Sequence, residues 1–310
     1  MEYIRVQRRY SARTVELYRS AIEGFCSFAC PEAEGELSEV QLKEILKPTL
    51  IRGYIAQGLE EGLSARTMNL RLSALSSFCN WLVRTGFLES NPVKKVFRPK
   101  EARPLPQFYT QPSMAALIEK EEDLAATEAA EAEDGKEPFG DLRTRMIILT
   151  LYATGMRRAE LCGLKVGDFD SGRQVLRVTG KGDKTREIPV PDRICKELLL
   201  YLKRLKEETG ADANGWFFVT DKGKQLYPAF VNNVVSRALA GEEGFSGKKS
   251  PHVLRHSLAT HLLNNGADIN SIKEVLGHAS LAATQVYTHN SFEQLKQTYL
   301  TAHPRAKKRR

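Results

Sequence analysis

The stretch Ser250-Pro251-His252-Val253-Leu254-Arg255-His256-Ser257-Leu258-Ala259-Thr260-His261-Leu262-Leu263 reads as a helix together with its start. Ser250 fits the cap and Pro251 the first turn. His252, Arg255 and His256 fall at i, i+3 and i+4, so their side chains leave one face together. Leu254, Leu258, Leu262 and Leu263 take another face and are expected in the core. Two imidazoles and a guanidinium backed by leucines suit a buried phosphate. Guanidinium offers a planar fork of donors to phosphate oxygens, and imidazole carries protons near neutral pH. The plainer reading is a core helix with satisfied histidines, and the rest of the chain decides between the two.

The whole chain has 310 residues and a formal net charge of +8. That length suggests about two domains, and the basic balance favours a polyanionic partner. The charge is uneven. Residues 119–137 hold nine acids and two lysines, a net −7 that leaves +15 on the remainder. This acidic run is expected to be a solvated insertion facing away from any DNA. The five cysteines (Cys26, Cys30, Cys79, Cys162 and Cys195) lack metal-type pairing and read as reduced thiols of a cytosolic protein. The opening MEYIRVQRRYSART lacks the apolar core of a signal peptide. No apolar run approaches the roughly 20 residues of a membrane span.

Residues 11–30 read as an amphipathic helix opened by Ser11, with Leu17, Ala21, Ile22, Phe25 and Phe28 inward. Helices follow over 37–46 and from Pro48 to Gly62. Ser64 opens a fourth, with Met68, Leu72, Leu75, Phe78 and Leu82 inward and Gly86 as its stop. Ser-Ala-Arg-Thr occurs at 11–14 and again at 64–67. Both helices therefore offer an Arg, a Thr and backbone N–H groups at a positive end, which suits phosphate contact. Shared helix grammar would produce the same echo. About four helices over 1–98 make a small all-α domain. Residues 99–112, with Pro99, Pro104, Pro106 and Pro112, are expected to be an extended linker.

Residues 141–153 form a strongly apolar helix broken at Thr154-Gly155. A short helix from Met156 to Leu164 carries Arg157, Arg158 and Glu160. Residues 174–190 read as a β-hairpin with its turn at Gly180-Lys181-Gly182-Asp183. Helices are expected from Asp192 to about Glu208, over 227–240 and from Asp268 to Leu276, with a short strand and turn over 216–226. A last helix over 291–301 precedes the basic tail that ends at Arg310.

Arg157 after Thr-Gly-Met, Lys181 in a Gly-Lys-Gly turn, His252-x-x-Arg255, Leu-Gly-His278 and Tyr287 nine residues later together resemble the tyrosine recombinase (phage integrase) family. The resemblance spans essentially the whole chain and is strongest to the bacterial Xer recombinases. It implies a helical, SAM-like core-binding domain over 1–98 and a linker over 99–112. A catalytic domain would follow over 113–302, mainly helical with a small antiparallel sheet, and a basic tail over 303–310, the two domains clamping DNA. It also implies residue roles. Tyr287 is the nucleophile, Arg157 and Arg255 clamp the scissile phosphate, and Lys181 is the general acid. His252 and His278 complete the site by hydrogen bonding and proton handling. No cofactor and no metal are implied.

The chemistry is consistent with that assignment. Attack on a phosphodiester concentrates negative charge on the phosphoryl oxygens, so positioned positive charge does most of the work. Tyrosine, with an ordinary pKa of about 10, needs its anion stabilised. The leaving 5′ oxygen needs a proton, which Lys181 or its rival Lys184 would supply. Glu160, three residues after Arg157, is read as orienting that guanidinium. His252 and His256 could hold zinc, but Arg255 between them would repel the ion. His256 and His261 are expected to be structural or supporting groups. Arg13, Thr14, Arg66, Thr67 and Arg71 are the expected DNA contacts.

The expected partners are a double-stranded recombination site and a homo- or hetero-tetramer on two sites, with a second recombinase and a DNA translocase as further candidates. The amphipathic segment from Phe292 to Leu300 is expected to dock on a neighbouring subunit. The setting is cytoplasmic, on the nucleoid. Resolution of chromosome dimers is the leading role and integration of a mobile element the alternative. A type IB topoisomerase shares the chemistry but needs no second site. A non-catalytic DNA-binding regulator would not need Tyr287 with its Arg, Lys and His set.

Overall fold

The computed structural model describes residues 2–8, 10–32, 37–101, 108–120, 137–180, 184–210, 215–241, 247, 249–277 and 298–304. It divides into two units, Met1–Pro104 and Leu105–Arg310.

The first unit is helical: α1 (Glu2–Val6), α2 (Ala12–Ala29), α3 (Glu39–Ile45), α4 (Pro48–Glu60) and α5 (Ala65–Arg84), with a 3₁₀ turn at Pro92–Lys95. Serines open three of these helices. Ser11, Ser38 and Ser64 accept the amides of Thr14, Gln41 and Thr67 at 3.3, 3.3 and 3.1 Å, and so satisfy N–H groups that have no partner within the helix. Phe25, Ile51, Met68, Leu72, Leu75 and Cys79 fill the centre. Burial pushes the Cys79 thiol up to about 12, as expected of an inert core cysteine. Leu17 departs from the expected stripe and is exposed. The reason is α1, which no periodicity announced. It packs on α2, and Val15 and Ile4 are both buried.

The second unit is built round α7 (Phe139–Thr154), buried along almost its whole length. Residues 111–120 form α6, and α8 (Arg158–Cys162) follows α7. Strands β1 (Phe169–Asp170), β2 (Val175–Thr179) and β3 (Thr185–Pro189) form an antiparallel sheet in that order. The expected hairpin is present with Leu176 opposite Ile188 and Thr179 opposite Thr185. β1 adds a short third strand. Then come α9 (Asp192–Thr209), α10 (Pro228–Ala238), α11 (Pro251–Asn264) and α12 (Ile269–Leu276). The architecture matches the expected mainly helical domain with a small sheet.

Details at α11 differ from expectation. Leu254, Leu258 and Leu262 are buried, but Leu263 is 50% exposed. Ser250 sits at the cap position without a side-chain cap bond. Its backbone carbonyl instead accepts the Val253 amide at 2.9 Å.

The proline-rich segment is tied down at both ends. Arg98 donates to the Asn69 carbonyl at 3.1 Å, and Asn69 donates to the Pro99 carbonyl at 3.0 Å. Tyr109 is buried in the second unit, with its amide on Ser257 Oγ at 2.9 Å. At the far end, residues 298–302 are helical, and Tyr299 and Ala302 join the core of their own unit. Of the segment expected to dock on a neighbouring subunit, residues 292–297 lie outside the described residues. Two aromatic rings, Tyr299 and His303, fill space beside Tyr152 and the Ala153 carbonyl.

Gly155 makes the functional region possible. It ends α7 at φ +60, and a Cβ there would lie 2.5 Å from Leu276 Cδ2 and 3.0 Å from Leu258 Cδ2. Only glycine accepts both that backbone and that approach. The ends of α7 and α12 therefore meet on α11.

Candidate active site

At that junction Arg255 is buried and donates to two backbone carbonyls, Gly155 and Leu276, each at 2.5 Å. Arg157, just before α8, donates through Nη2 to the Gly277 carbonyl at 2.6 Å. Its Nη1 donates to Glu160 Oε1 at 2.9 Å, and the Arg157 amide donates to Glu160 Oε2 at 2.6 Å. A third guanidinium, Arg186 from β3, faces the same carboxylate. Its Nη1 and Nη2 donate to Glu160 Oε1 and Oε2 at 2.9 and 2.8 Å. Its Nε donates to the Val275 carbonyl at 2.8 Å.

Two arginines, Arg157 and Arg186, thus share the Glu160 carboxylate, and with Arg255 all three donate to carbonyls at the end of α12. The charge does not balance, and the surplus is positive. The Arg157 side chain is 37% exposed, whereas that of Glu160 is 3% exposed. The open guanidinium is therefore the one available to an anion. Burial raises the carboxyl of Glu160, but hydrogen bonds from Arg186 and Arg157 outweigh it, and the net shift is downward. Glu160 is a carboxylate at neutral pH. Arg255 is brought down to about 10, first by burial and then by the charges of Arg157 and Arg186. It stays protonated near pH 7, at the cost of holding like charges close together. An incoming phosphate would relieve that repulsion.

His252 lies on the exposed side of α11, in the first turn, with Arg255 three residues on. His256 is half-buried and edge-on to Phe108. His261 points into the core. Its Nε2 donates to the Tyr109 carbonyl at 2.8 Å, and its Nδ1 pairs with the Tyr152 hydroxyl at 2.8 Å. Burial lowers its pKa, partly opposed by the bond to Tyr109. The ring is thus neutral at pH 7, with the Tyr152 hydroxyl donating to Nδ1. Lys184 is exposed beside the hairpin turn. Lys181, His278 and Tyr287 lie outside the described residues, although their chain neighbours Gly180 and Gly277 are placed. A Cβ on Gly180 would come within 3.1 Å of Glu160 Oε1. A Cβ on Gly277 would come within 3.1 Å of the Arg186 guanidinium. Among the described residues, no cluster of three or more His, Cys, Asp or Glu forms a metal site. None of the described helices is long and apolar enough to cross a membrane.

Known proteins account for this arrangement. Residues 118–294 match the phage integrase family, and residues 1–86 match the phage integrase N-terminal SAM-like domain. The tyrosine recombinase XerC of Bacillus pumilus (strain SAFR-032) is 36% identical over 313 residues, covering 100% of this chain and 96% of that protein. The chain belongs to the phage integrase family. The tyrosine recombinase XerC of Chlorobaculum parvum (strain DSM 263 / NCIMB 8327) is 34% identical over 99% of this chain and 93% of its own length. The fold is shared with the XerH site-specific recombinase solved on its difH substrate before cleavage. That match has a TM-score of 0.64 and 21% identity, over 93% of this chain and 79% of the other.

The remaining expected contacts of this integrase-family chain lie in the first unit. Arg13 and Arg66 are exposed near the starts of α2 and α5, with Thr14 and Thr67 half-buried beside them. The two Ser-Ala-Arg-Thr starts are not brought together. Arg84, late in α5, donates to Tyr3, which precedes α2. Tyr54 packs on Phe25 and Phe28, late in α2, and also lies under Arg71, early in α5. The helices are antiparallel, so their starts lie at opposite ends of the pair. Arg71 also donates to the Tyr54 hydroxyl at 3.1 Å.

Arg186 escaped the sequence reading. The one local signal was parity: Arg186 stands two and four residues before Ile188 and Val190, both buried. An arginine at an inward strand position needs a buried partner.

Proposed function

We propose that this tyrosine recombinase cuts and rejoins DNA at a specific site through Tyr287, in the Xer manner, to resolve chromosome dimers. The observation that carries the reading is the surplus of guanidinium charge held by Arg157 and Arg255 at the end of α12. From there the chain runs directly into His278 and, nine residues later, Tyr287.

The Tyr287 hydroxyl gives up its proton, with His252 and His278 assisting, and its oxygen attacks the scissile phosphorus. A bond forms from tyrosine to phosphorus as the bond to the 5′ oxygen breaks. Lys181 gives that oxygen its proton, leaving a 3′-phosphotyrosyl ester and a free 5′ hydroxyl. A 5′ hydroxyl of the partner strand then attacks the ester, returns its proton and releases Tyr287. One phosphoester replaces another, so no nucleotide is consumed. Arg157 and Arg255 hold the phosphoryl oxygens, and their stabilisation rises as charge builds in the transition state. His252 and His278 hydrogen-bond the same oxygens and assist proton movement. No cofactor or metal takes part.

Residues 1–98 form the core-binding domain and 113–302 the catalytic one. Arg13, Thr14, Arg66, Thr67 and Arg71 meet the DNA backbone. Exchange between two duplexes needs four cleavages, hence a tetramer on two sites, with a second recombinase and a DNA translocase as candidate partners at the nucleoid. The relatives' names support the Xer reading over integration of a mobile element.

The test is a suicide duplex nicked beside the cut, incubated in EDTA with the wild type and with Tyr287→Phe. A protein–DNA adduct on a denaturing gel from the wild type alone is expected. Adduct from both proteins would assign the nucleophile elsewhere.

A further inference from the structure

We infer that Arg186 is a positioning residue for the strand-cleavage chemistry. It acts through Glu160 on Arg157, and through Val275 on the helix end that leads to His278. The inference rests on the recombinase reading above and adds a residue that the reading does not use.

Every nitrogen of the Arg186 side chain is engaged by protein. Both Nη atoms grip the two oxygens of Glu160 at 2.9 and 2.8 Å, and Nε holds the Val275 carbonyl at 2.8 Å. The side chain is 15% exposed, against 37% for Arg157. Arg157 has one Nη on Glu160 and the other on Gly277, and remains partly open. The two guanidiniums share a carboxylate but face different ways: Arg157 toward solvent, Arg186 into protein. Arg186 is not poised to touch a phosphate. It is poised to fix the groups that do.

Three elements are locked by this one side chain. Glu160 is the first. Its two oxygens accept from Arg186 and from Arg157, so its orientation sets where Arg157 points. The second is the end of α12. Gly277 adopts φ +66, and a Cβ there would lie 3.1 Å from the Arg186 guanidinium, so backbone and guanidinium are in direct contact. The third is the hairpin. Arg186 belongs to β3, opposite Val178, and Gly180 at the base of the turn bearing Lys181 abuts Glu160. The hairpin strand β3, the helix end that precedes His278 and the arginine that clamps phosphate are therefore referenced to one planar fork. Lysine cannot reproduce it, because a single ammonium cannot hold two carboxylate oxygens and a carbonyl in one plane.

The test compares Arg186→Gln, Arg186→Lys, Glu160→Gln and the Arg186→Gln/Glu160→Gln pair, with Tyr287→Phe as the chemical blank. Three quantities are read on the full chain: duplex affinity by gel shift, single-turnover adduct formation on the suicide duplex, and amide exchange at residues 275–277 without DNA. Arg186→Gln should slow adduct formation about 100-fold, the cost of misplacing a catalytic group by an ångström. Affinity should change less than about 3-fold, because backbone phosphate contacts elsewhere dominate binding. Arg186→Lys keeps the charge and protects against loss of fold, and should still be slow by about 10-fold. The double variant should be no slower than the slower single one, because both act through Glu160. Amides 275–277 should exchange faster in both Arg186 variants.

The inference is overturned if Arg186→Gln forms adduct within about 3-fold of wild type, or if Arg186→Lys restores the full rate. Loss of affinity in step with rate would equally overturn it, making Arg186 a DNA contact. A wild type that forms no adduct counts against the recombinase reading instead. Amide exchange without DNA then judges Arg186 alone, and unchanged exchange rejects it.

Discussion

The last turn of α7 offers carbonyls to two buried polar clusters. Gly155 accepts from Arg255, in a cluster of three guanidiniums and one carboxylate. Two residues earlier, Ala153 accepts from Tyr299 and from His303 Nε2, the latter at 3.0 Å. Nearby, His261 joins Tyr152 to the Tyr109 carbonyl. Both clusters draw on α7 and α11. The first carries surplus positive charge and leaves Arg157 partly open. The second uses imidazoles and phenols and is closed, so much so that burial drives the Tyr299 hydroxyl well above the usual tyrosine range. Burial alone therefore does not mark a working site in this molecule. Unbalanced charge with one open member does, because only that cluster gains by taking in an anion.

The largest effect expected from this difference is on chemistry. Arg157→Ala should lower single-turnover cleavage by about 100- to 1,000-fold, the range for losing one preorganised charge donor. His261→Gln should leave the same rate within a few-fold. Equal losses from the two variants would erase the distinction.

Stability should sort the clusters next. Glu160→Gln leaves buried guanidiniums without their counter-charge and should cost about 3 kcal/mol in denaturant unfolding. Because the folded carboxyl sits below its ordinary value of 4.5, its contribution is fully present above that pH. It is lost as pH falls through the folded value. Wild type should therefore lose stability more steeply than Glu160→Gln on acidification below about pH 4.5.

His261→Ala should cost somewhat less, about 2 kcal/mol, for its bonds to Tyr109 and Tyr152. The folded imidazole lies below the ordinary value of 6.5, so the native state binds fewer protons than the unfolded chain. Stability from this group is present above pH 6.5 and declines as pH falls below it. A melting temperature that drops from pH 7 to pH 5.5 in wild type, and less so in His261→Gln, is the expected signature.

The smallest effect concerns the first unit. Arg66→Ala should weaken duplex binding only a few-fold and flatten the log–log salt dependence by about one unit. An unchanged slope would take Arg66 off the DNA.

Much of this was legible in the sequence. Ser11 and Ser64 announced two helix starts through a local cap. Leu254, Leu258 and Leu262 announced the buried face of α11 through their period. Arg157 stood out through the family resemblance, Arg255 through its helix spacing and Glu160 through its place three residues after Arg157, and the three lie together. Local signals failed where a distant element decided the outcome. Val15 replaced Leu17 inward because α1 lies on α2. The inward pull on residues 298–303 comes from Ala153, some 146 residues away in the chain from Tyr299. Arg186 was overlooked for the same reason, since its partners Glu160 and Val275 lie 26 and 89 residues away. A solvated strand arginine and a buried one look alike until the opposite wall is known.

The surplus guanidinium charge exists to meet the scissile phosphate. The most direct measurement replaces that one phosphodiester, in a duplex that wild type cleaves, with a neutral methylphosphonate. Adduct formation is then compared between wild type and Arg157→Ala on both duplexes. The penalty for Arg157→Ala should shrink by at least about 30-fold on the neutral linkage, because the charge that the arginine would stabilise is gone. An equal penalty on the charged and neutral linkages would contradict it, leaving Arg157 a structural partner of Glu160.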